Sequence, residues 1–470
     1  MITKKTKIVV SIGPATTDKK VLTDLLNAGM NIARINFSHG DFMEHQSKVD
    51  NIRSVSKKTG IPVALLQDIA GPKIRIGDFY KESIVLKKGD LFTLTTEKIV
   101  GDEKKVCVNY SMLPKEVRVG GWIMLHDGKK KLKIVKIKGK DVVCRVVVGG
   151  EIKGRRGVNL PGARLSISSI TEKDKKDLKF GIKNKVDFVA LSFVRRADNV
   201  EQLRKLLKKA GSKAKIISKI EDVEGLENID EIINTTDGIM IGRGDFGIEI
   251  GLKNLPMIQK EIIKKCNTAG KPVITATHML ESMIKSPVPT RAEVSDIANA
   301  ILDGTDAVML SEETTLGEYP VEAVSVISKV AQKVESRMVF CRKDFGEAGK
   351  DSISNAVSAE AVDLAQSIGA KYIAALTNTG FTAKMISRYR PAQNILAFTP
   401  NKETFNQLNL SYGCEPVLVA KIDSIEAAAP LVREHCLKTK TAKKNDIIVV
   451  VAGMQFNKNS STNTIFVQKI

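Results

Sequence analysis

Aromatic side chains are only 5% of the 470 residues, and Trp122 is the one tryptophan. That scarcity argues against a protein that stacks nucleic-acid bases on aromatic platforms. Cysteine is sparse too. Cys107, Cys144, Cys266, Cys341, Cys414 and Cys436 lie far apart with no CxxC spacing. A dense disulfide scaffold is excluded, and reduced, mostly buried thiols are expected. Long apolar runs are missing as well. The longest, such as residues 447–454, fall well short of the ~18–20 residues that span a bilayer. The short run 8–12 leads into Gly13-Pro14 and has no small-residue cleavage site, so it reads as a first strand and not as a signal peptide. Internal repeats and low-complexity segments are absent. The expectation is a soluble, cytoplasmic protein with no membrane partner.

What the chain does have is positive charge. Lys and Arg number 74 against 53 Asp and Glu, leaving +21. Such a balance calls for a polyanionic partner: nucleic acid, an anionic membrane or a phosphorylated small molecule. Hydrophobic residues at 43% supply packed cores, and the length predicts two to four domains. Strand-length apolar runs alternate with helical patterns. Strands are predicted at 7–12, 31–36, 62–67, 187–192, 215–219, 238–241, 272–275 and 307–310, with helices between them, for example 19–27, 200–209, 257–269 and 321–334. Eight βα units in series predict a closed (β/α)₈ barrel. One connection breaks the rhythm. Residues 72–168 follow the third strand and are strand-like throughout, an inserted β-rich lid domain. In it Leu132, Ile134 and Ile137 nearly alternate with lysines, and Gly89-Asp90, Gly120-Gly121 and Gly149-Gly150 read as turns. This fifth of the chain carries 22 Lys and Arg against 10 Asp and Glu, more than half of the excess charge. The barrel domain is then 1–71 plus 169–340. Residues 341–470 form a separate C-terminal α/β domain, with strands at 372–376, 394–398, 416–419, 446–451 and 464–467.

Barrel enzymes build their sites at the C-terminal ends of the strands. Six of the eight predicted ends carry charged or hydroxyl groups. They are Arg34 to Gly40, Gln67-Asp68 with Lys73 and Arg75, Ser218 to Glu221, Gly242 to Asp245, Thr275 to His278, and Ser311 to Thr314. Lys219 and Glu221, two apart on a strand, both face the barrel interior. An interior Lys and Glu must be paired or functional. Glu221 and Asp245 offer two carboxylates, which suits Mg²⁺ with its remaining positions left to water and phosphate. Lys219 and Arg34 stand beside them as cations for a phosphoryl group. Each feature alone has a plain structural reading: a core ion pair, a turn, a hydrogen-bonded histidine. Their coincidence at one mouth favours an electrophilic, anion-binding site.

Several runs carry a resemblance. They are Gly13-Pro14-Ala15-Thr16, Asn36-Phe37-Ser38-His39-Gly40, Gly157-Val158-Asn159-Leu160-Pro161-Gly162, Lys219-Ile220-Glu221, Arg243-Gly244-Asp245 and Pro289-Thr290-Arg291-Ala292-Glu293. Together they resemble the pyruvate kinase family over nearly the whole chain. The resemblance implies transfer of a phosphoryl group from phosphoenolpyruvate to ADP, giving pyruvate and ATP. It implies that Glu221 and Asp245 hold Mg²⁺ or Mn²⁺. The Gly244 backbone, Asp245 and Thr277 would bind substrate, with Lys219 and Arg34 on the phosphoryl group. Thr277, Ser311 and Glu313 would relay a proton to the enolate, and Arg75, Arg156 and His39 would meet the nucleotide. Asn36, Ser38, Asp68 and the backbone of Ile69 match a monovalent-cation site. A homotetramer is the family's usual assembly.

Some positions depart from the family pattern. Lys73 stands where a Glu is usual, and its ammonium could replace K⁺, so K⁺ independence is expected. His278 replaces Gln, Glu312 replaces Gly, Gly242 replaces Ala, and Ala70 replaces Lys or Gln. In the C-terminal domain Thr377, Thr379, Gly380 and Thr382 resemble the loop that holds an effector's phosphate. The same loop reads equally well as a strand–helix turn capped by Thr379 or Thr382. Competing readings are another Mg²⁺-dependent barrel enzyme of phosphoenolpyruvate or pyruvate (lyase or aldolase type), a nucleic-acid binder, and a catalytically silent homologue. The first has no use for Arg75, Arg156 and a basic lid. The second lacks a recognisable motif, and the third is at odds with an intact Lys219, Glu221 and Asp245.

Overall fold

A computed structural model describes residues 4–338, 352–420, 424–453 and 461–470. Cys341, Met454 and the expected barrel-to-C-terminal boundary lie outside the described residues. Eight parallel strands close into a barrel. They are β1 (Lys7–Ser11), β2 (Ile32–Asn36), β3 (Ala64–Ile69), β4 (Phe188–Leu191), β5 (Lys215–Ile220), β6 (Gly238–Gly242), β7 (Val273–Ala276) and β8 (Ala307–Leu310), and β8 pairs back onto β1. The strands are short and apolar because both faces are covered. Their inward residues fill the barrel with one layered core that includes Val9, Ile32, Leu66, Phe188, Ile217, Met240, Ile274 and Met309. Their outward residues, such as Ile8, Ile35, Ile220 and Val308, pack under the helices. Turn chemistry fixes the crossovers. Asp18 and Asp41 cap helices Lys19–Ala28 and Phe42–Thr59, and Gly29 and Gly60 end them in the left-handed region.

The insertion follows β3 and is β-rich. A six-stranded sheet and a two-stranded sheet enclose their own core, from Ile74 through Phe92 and Leu132 to Leu160. Two details differ from expectation. Gly149-Gly150 is not a hairpin turn; the chain there leaves strand Asp141–Val148 and enters Gly150–Lys153, which pairs with Ser83–Leu86 in the smaller sheet. A side chain at Gly149 would sit 2.1 Å from the Leu86 carbonyl oxygen, which leaves room only for glycine at this crossing. The imperfect alternation around Leu132 is a bulge. The register of strand Lys130–Lys138 slips between Ile134 and Lys136, so Val135 and Lys136 are both exposed in succession and the alternation resumes at Ile137.

The C-terminal domain is a five-stranded sheet, parallel except for its last strand Thr464–Lys469, with helices on both faces. It is docked under the N-terminal ends of the barrel strands. Arg390 makes a two-pronged pair with Asp306, which precedes β8, at 2.9 Å on each arm. Asn406 donates to Asp187, which precedes β4, at 2.9 Å. Leu410 joins the apolar layer inside the barrel. That leaves the opposite mouth free. The five described cysteines are free thiols and four are buried. Among the described residues no helix is long and apolar enough to cross a membrane.

Candidate active site at the barrel mouth

The next inward layer above the apolar one is polar, because every second residue of a strand shares a face. It comprises Ser11 on β1, Arg34 on β2, Asp68 on β3, Ser192 just past β4 and Lys219 on β5. These five adjacent positions form one bonded arc. The Arg34 guanidinium donates to Ser11 Oγ at 2.7 Å and to Asp68 Oδ2 at 2.8 Å. Lys219 Nζ donates to Ser192 Oγ at 2.8 Å, and lies 3.4 Å from Asp68 Oδ1 and 3.2 Å from Glu221 Oε1. Ser192 Oγ also donates to the Ile69 carbonyl at 2.9 Å. Two cations and two carboxylates are thus buried together, so no charge is left bare.

The titrations follow from that balance. Burial works against the Lys219 charge, but Asp68 and Glu221 outweigh it and hold its pKa above the ordinary lysine value. Burial likewise pushes Asp68 up, yet Lys219 and Arg34 prevail and hold it below the ordinary carboxylate value. For Glu221 burial wins, opposed by Lys219 and aided by Asp245, so its pKa is raised. Lys219 is therefore a fixed cation, and Glu221 is a carboxylate that gains from a further positive charge.

Glu221 is held by the Phe193 N–H at 2.9 Å. Gly242 gives it space: a Cβ there would lie 2.7 Å from Glu221 Cγ. Asp245 opens helix Arg243–Ile250 after β6, and its Oδ1 accepts from Asn159 Nδ2 of the insertion at 3.3 Å. Two hard carboxylates at one mouth fit a cation that completes its shell with water and substrate oxygens, as Mg²⁺ does. A cation needing a protein cage does not fit, since among the described residues no three His, Cys, Asp or Glu side chains gather as a metal site.

Thr277 and His278 follow β7 in left-handed backbone, φ 71° and 53°. A β-branched residue there is strained. Arg243 holds the turn: it is buried, and its guanidinium donates to the carbonyls of Thr277 (2.7 Å) and His278 (3.2 Å). Thr277 Oγ1 accepts from the Gly244 N–H at 2.9 Å and donates to the Ala276 carbonyl at 2.6 Å. After β8, Glu313 is buried and accepts from the Ser311 N–H at 2.7 Å and the Leu280 N–H at 3.1 Å. Ser311 and Glu313 are thus brought together through backbone, while the Thr277 hydroxyl bonds elsewhere. His278 is exposed and 3.6 Å from Glu281.

The remaining expected residues fall on the rim. Arg75 and Arg156 become neighbours because the strands entering and leaving the insertion meet at the Arg75–Gly157 bridge. His39 is exposed beside the start of helix Phe42–Thr59. Asn36 accepts from the Ser38 N–H at 3.1 Å. Lys73 lines the cleft between insertion and barrel, alongside Asn159, Phe193 and Asp245. Among the described residues its ammonium makes no hydrogen bond or ion pair with Asn36, Ser38 or Asp68. Far away, Thr377 Oγ1 accepts from the Gly380 N–H at 3.0 Å and Thr382 Oγ1 pairs with Thr462 at 2.8 Å. Gly380 is the helix cap, without a side-chain bond, so neither Thr379 nor Thr382 serves as one.

Four residues of the site escaped the sequence reading: Ser11, Ser192, Asn159 and Glu249. Ser11 and Ser192 had a signal, since each continues the inward alternation of its strand. Glu249 had none. It lies on helix Arg243–Ile250, where burial pushes its carboxyl up to about 8, helped by Asp222 and Asp245 and opposed by Arg195 and a hydrogen bond from the Leu160 N–H.

Comparison with known proteins follows the same outline. The family models "Pyruvate kinase, barrel domain" and "Pyruvate kinase, alpha/beta domain" match residues 3–324 and 355–468. The chain is 44% identical to the pyruvate kinase of Thermotoga maritima over 471 residues, covering 99% of this chain and 100% of the relative. It is 42% identical to that of Clostridium acetobutylicum with the same coverage. The solved structure of a pyruvate kinase from Cryptosporidium parvum superposes with a TM-score of 0.93 at 35% identity, over 99% of this chain and 96% of that one.

Proposed function

The chain belongs to the pyruvate kinase family, and from that premise we propose that its barrel mouth transfers the phosphoryl group of phosphoenolpyruvate to ADP, giving pyruvate and ATP. The observation that carries this reading is the buried arc from Ser11 to Lys219, two cations held in place by Asp68 and Glu221. Phosphoryl transfer asks mainly for positioning and charge stabilisation. The bond from phosphorus to the enol oxygen breaks, and a bond from phosphorus to a terminal ADP oxygen forms. Lys219 and Arg34 face the charge that develops on the moving group. They are already oriented, so no reorganisation is spent at the moment of transfer.

The enolate left behind needs a proton at its methylene carbon. Thr277, Ser311 and Glu313 flank the mouth and are assigned to deliver it. The Gly244 N–H and Thr277 hydroxyl are assigned to the substrate carboxylate, and Arg75, Arg156 and His39 to the nucleotide. Glu221 and Asp245 would hold a divalent cation, Mg²⁺ or Mn²⁺, which supplies Lewis-acid stabilisation of phosphoryl and enolate oxygens. The basic insertion serves as the lid that excludes water during transfer. Lys73 on the cleft wall is assigned to supply a cation from the chain itself in place of added K⁺.

The test is ATP formation from phosphoenolpyruvate and ADP with Mg²⁺, with and without K⁺. Turnover in both conditions, abolished by a chelator, is expected. Turnover only with K⁺ overturns the Lys73 assignment, and no turnover in any condition overturns the function.

A further inference from the structure

Helix Arg243–Ile250 is the shelf on which the insertion rests. Asp245, Ile248 and Glu249 lie three and four residues apart, on one face of it. Each is met by a different part of the insertion. The turn at Gly128 packs on Ile248, where an added Cβ would lie 3.3 Å from Ile248 Cγ1. Asn159 Nδ2 donates to Asp245 Oδ1 at 3.3 Å. Leu160 and Glu249 line the same cleft between insertion and barrel. Asn159 is only 8% exposed, and its strand Val158–Asn159 is paired with Trp122–Leu125 of the inserted sheet, Asn159 opposite Met124. Its amide therefore travels with the insertion, whereas Asp245 belongs to the barrel.

We propose that Asn159 is a positioning residue for Asp245, holding that carboxylate in the orientation that takes the divalent cation when the insertion is seated on this helix. The proposal rests on the phosphotransfer reading, in which Asp245 is a ligand. Its chemistry is specific. An amide N–H can only donate to a carboxylate, and here it occupies one lone pair of Oδ1. Oδ2 and the rest of Oδ1 stay available. The Gly128–Ile248 packing seats the insertion on the same helix face, beside that bond. Seating of the insertion and readiness of the cation site become one event.

The experiment uses the full chain and Mn²⁺, followed by electron paramagnetic resonance with phosphoenolpyruvate present, for wild type, Asn159→Ala and Asp245→Asn. Thermal melts run alongside. Losing a hydrogen-bond partner of a metal ligand costs 10–100-fold in metal affinity. Asn159→Ala is expected to weaken Mn²⁺ binding about 10-fold, with its melting temperature unchanged and most of the activity recovered at high metal. A merely structural asparagine would lower the melting temperature and leave Mn²⁺ binding alone. Should the alanine variant misfold, Asn159→Ser is read by the same criteria. Wild-type Mn²⁺ affinity in Asn159→Ala, with binding lost in Asp245→Asn, overturns the proposal. Unchanged binding in Asp245→Asn removes the assignment of Asp245 itself, and the proposal falls with it.

Discussion

At the scale of single residues, the site depends on which charges are bare and which are matched. Glu249 is half-buried, and desolvation with Asp222 and Asp245 outweighs Arg195, so its pKa stands at about 8. A carboxyl whose folded pKa exceeds its unfolded value binds more protons in the native state. Stability must then fall as pH rises from about 4.3, the unfolded glutamate value, through 8. Glu249→Gln is expected to flatten that decline, melting higher than wild type at pH 8 and close to it at pH 5. Asp68 works with the opposite sign. Its folded pKa is lowered, so its contribution is present above about pH 3.9 and lost only as the pH falls through the folded value. Asp68→Asn is expected to destabilise at pH 7 and to narrow its gap to wild type in strong acid, as read from melts at both pH values. The polar arc was half legible. Arg34, Asp68 and Lys219 announce themselves as charges on apolar strands, while Ser11 and Ser192 look like any strand-end serine until the closed ring sets them against Arg34 and Lys219.

At the scale of elements, the barrel strands were readable to within one or two residues because each is a short apolar run between turn signals. The insertion was less so. Its strand-like character is legible, but Gly149-Gly150 reads as a turn, since a glycine pair signals a sharp change of direction and not the reason for one. The reason is spatial: the chain crosses between two sheets against the Leu86 carbonyl. Gly149→Ala places a Cβ where backbone cannot yield, and overpacking of this kind costs about 1–3 kcal/mol. The strain falls on the inserted sheets and not on the barrel. The expected outcome is a raised KM for ADP with a smaller change for phosphoenolpyruvate, measured by steady-state kinetics. A drop in the melting transition of the whole chain with unchanged KM values would count against it.

At the scale of the whole molecule, the domains divide the work by the ends of the barrel. The C-terminal domain closes the bottom through Arg390–Asp306, Asn406–Asp187 and Leu410, and the basic insertion overhangs the top. No sequence pattern pointed to Arg390 as the joint, because its partner is 84 residues away and both read as surface charges. Breaking a buried pair from one side costs about 3–5 kcal/mol. Arg390→Ala should therefore lower the unfolding free energy by that order, read from denaturant melts, and separate the unfolding of the C-terminal domain from that of the barrel. The net charge of +21 also finds its place at this scale. More than half of it belongs to the insertion, above a mouth already lined by Arg34 and Lys219, so the partner it suits is a pair of phosphorylated small molecules. The central claim is that Lys219, pinned by Asp68, Glu221 and Ser192, stabilises the moving phosphoryl group. It is tested most directly by ATP formation from phosphoenolpyruvate and ADP by Lys219→Met beside wild type, at saturating Mg²⁺. The account predicts turnover by wild type and a loss of about 10³-fold in the variant, with the fold intact by circular dichroism. Turnover by Lys219→Met within a few-fold of wild type would contradict it.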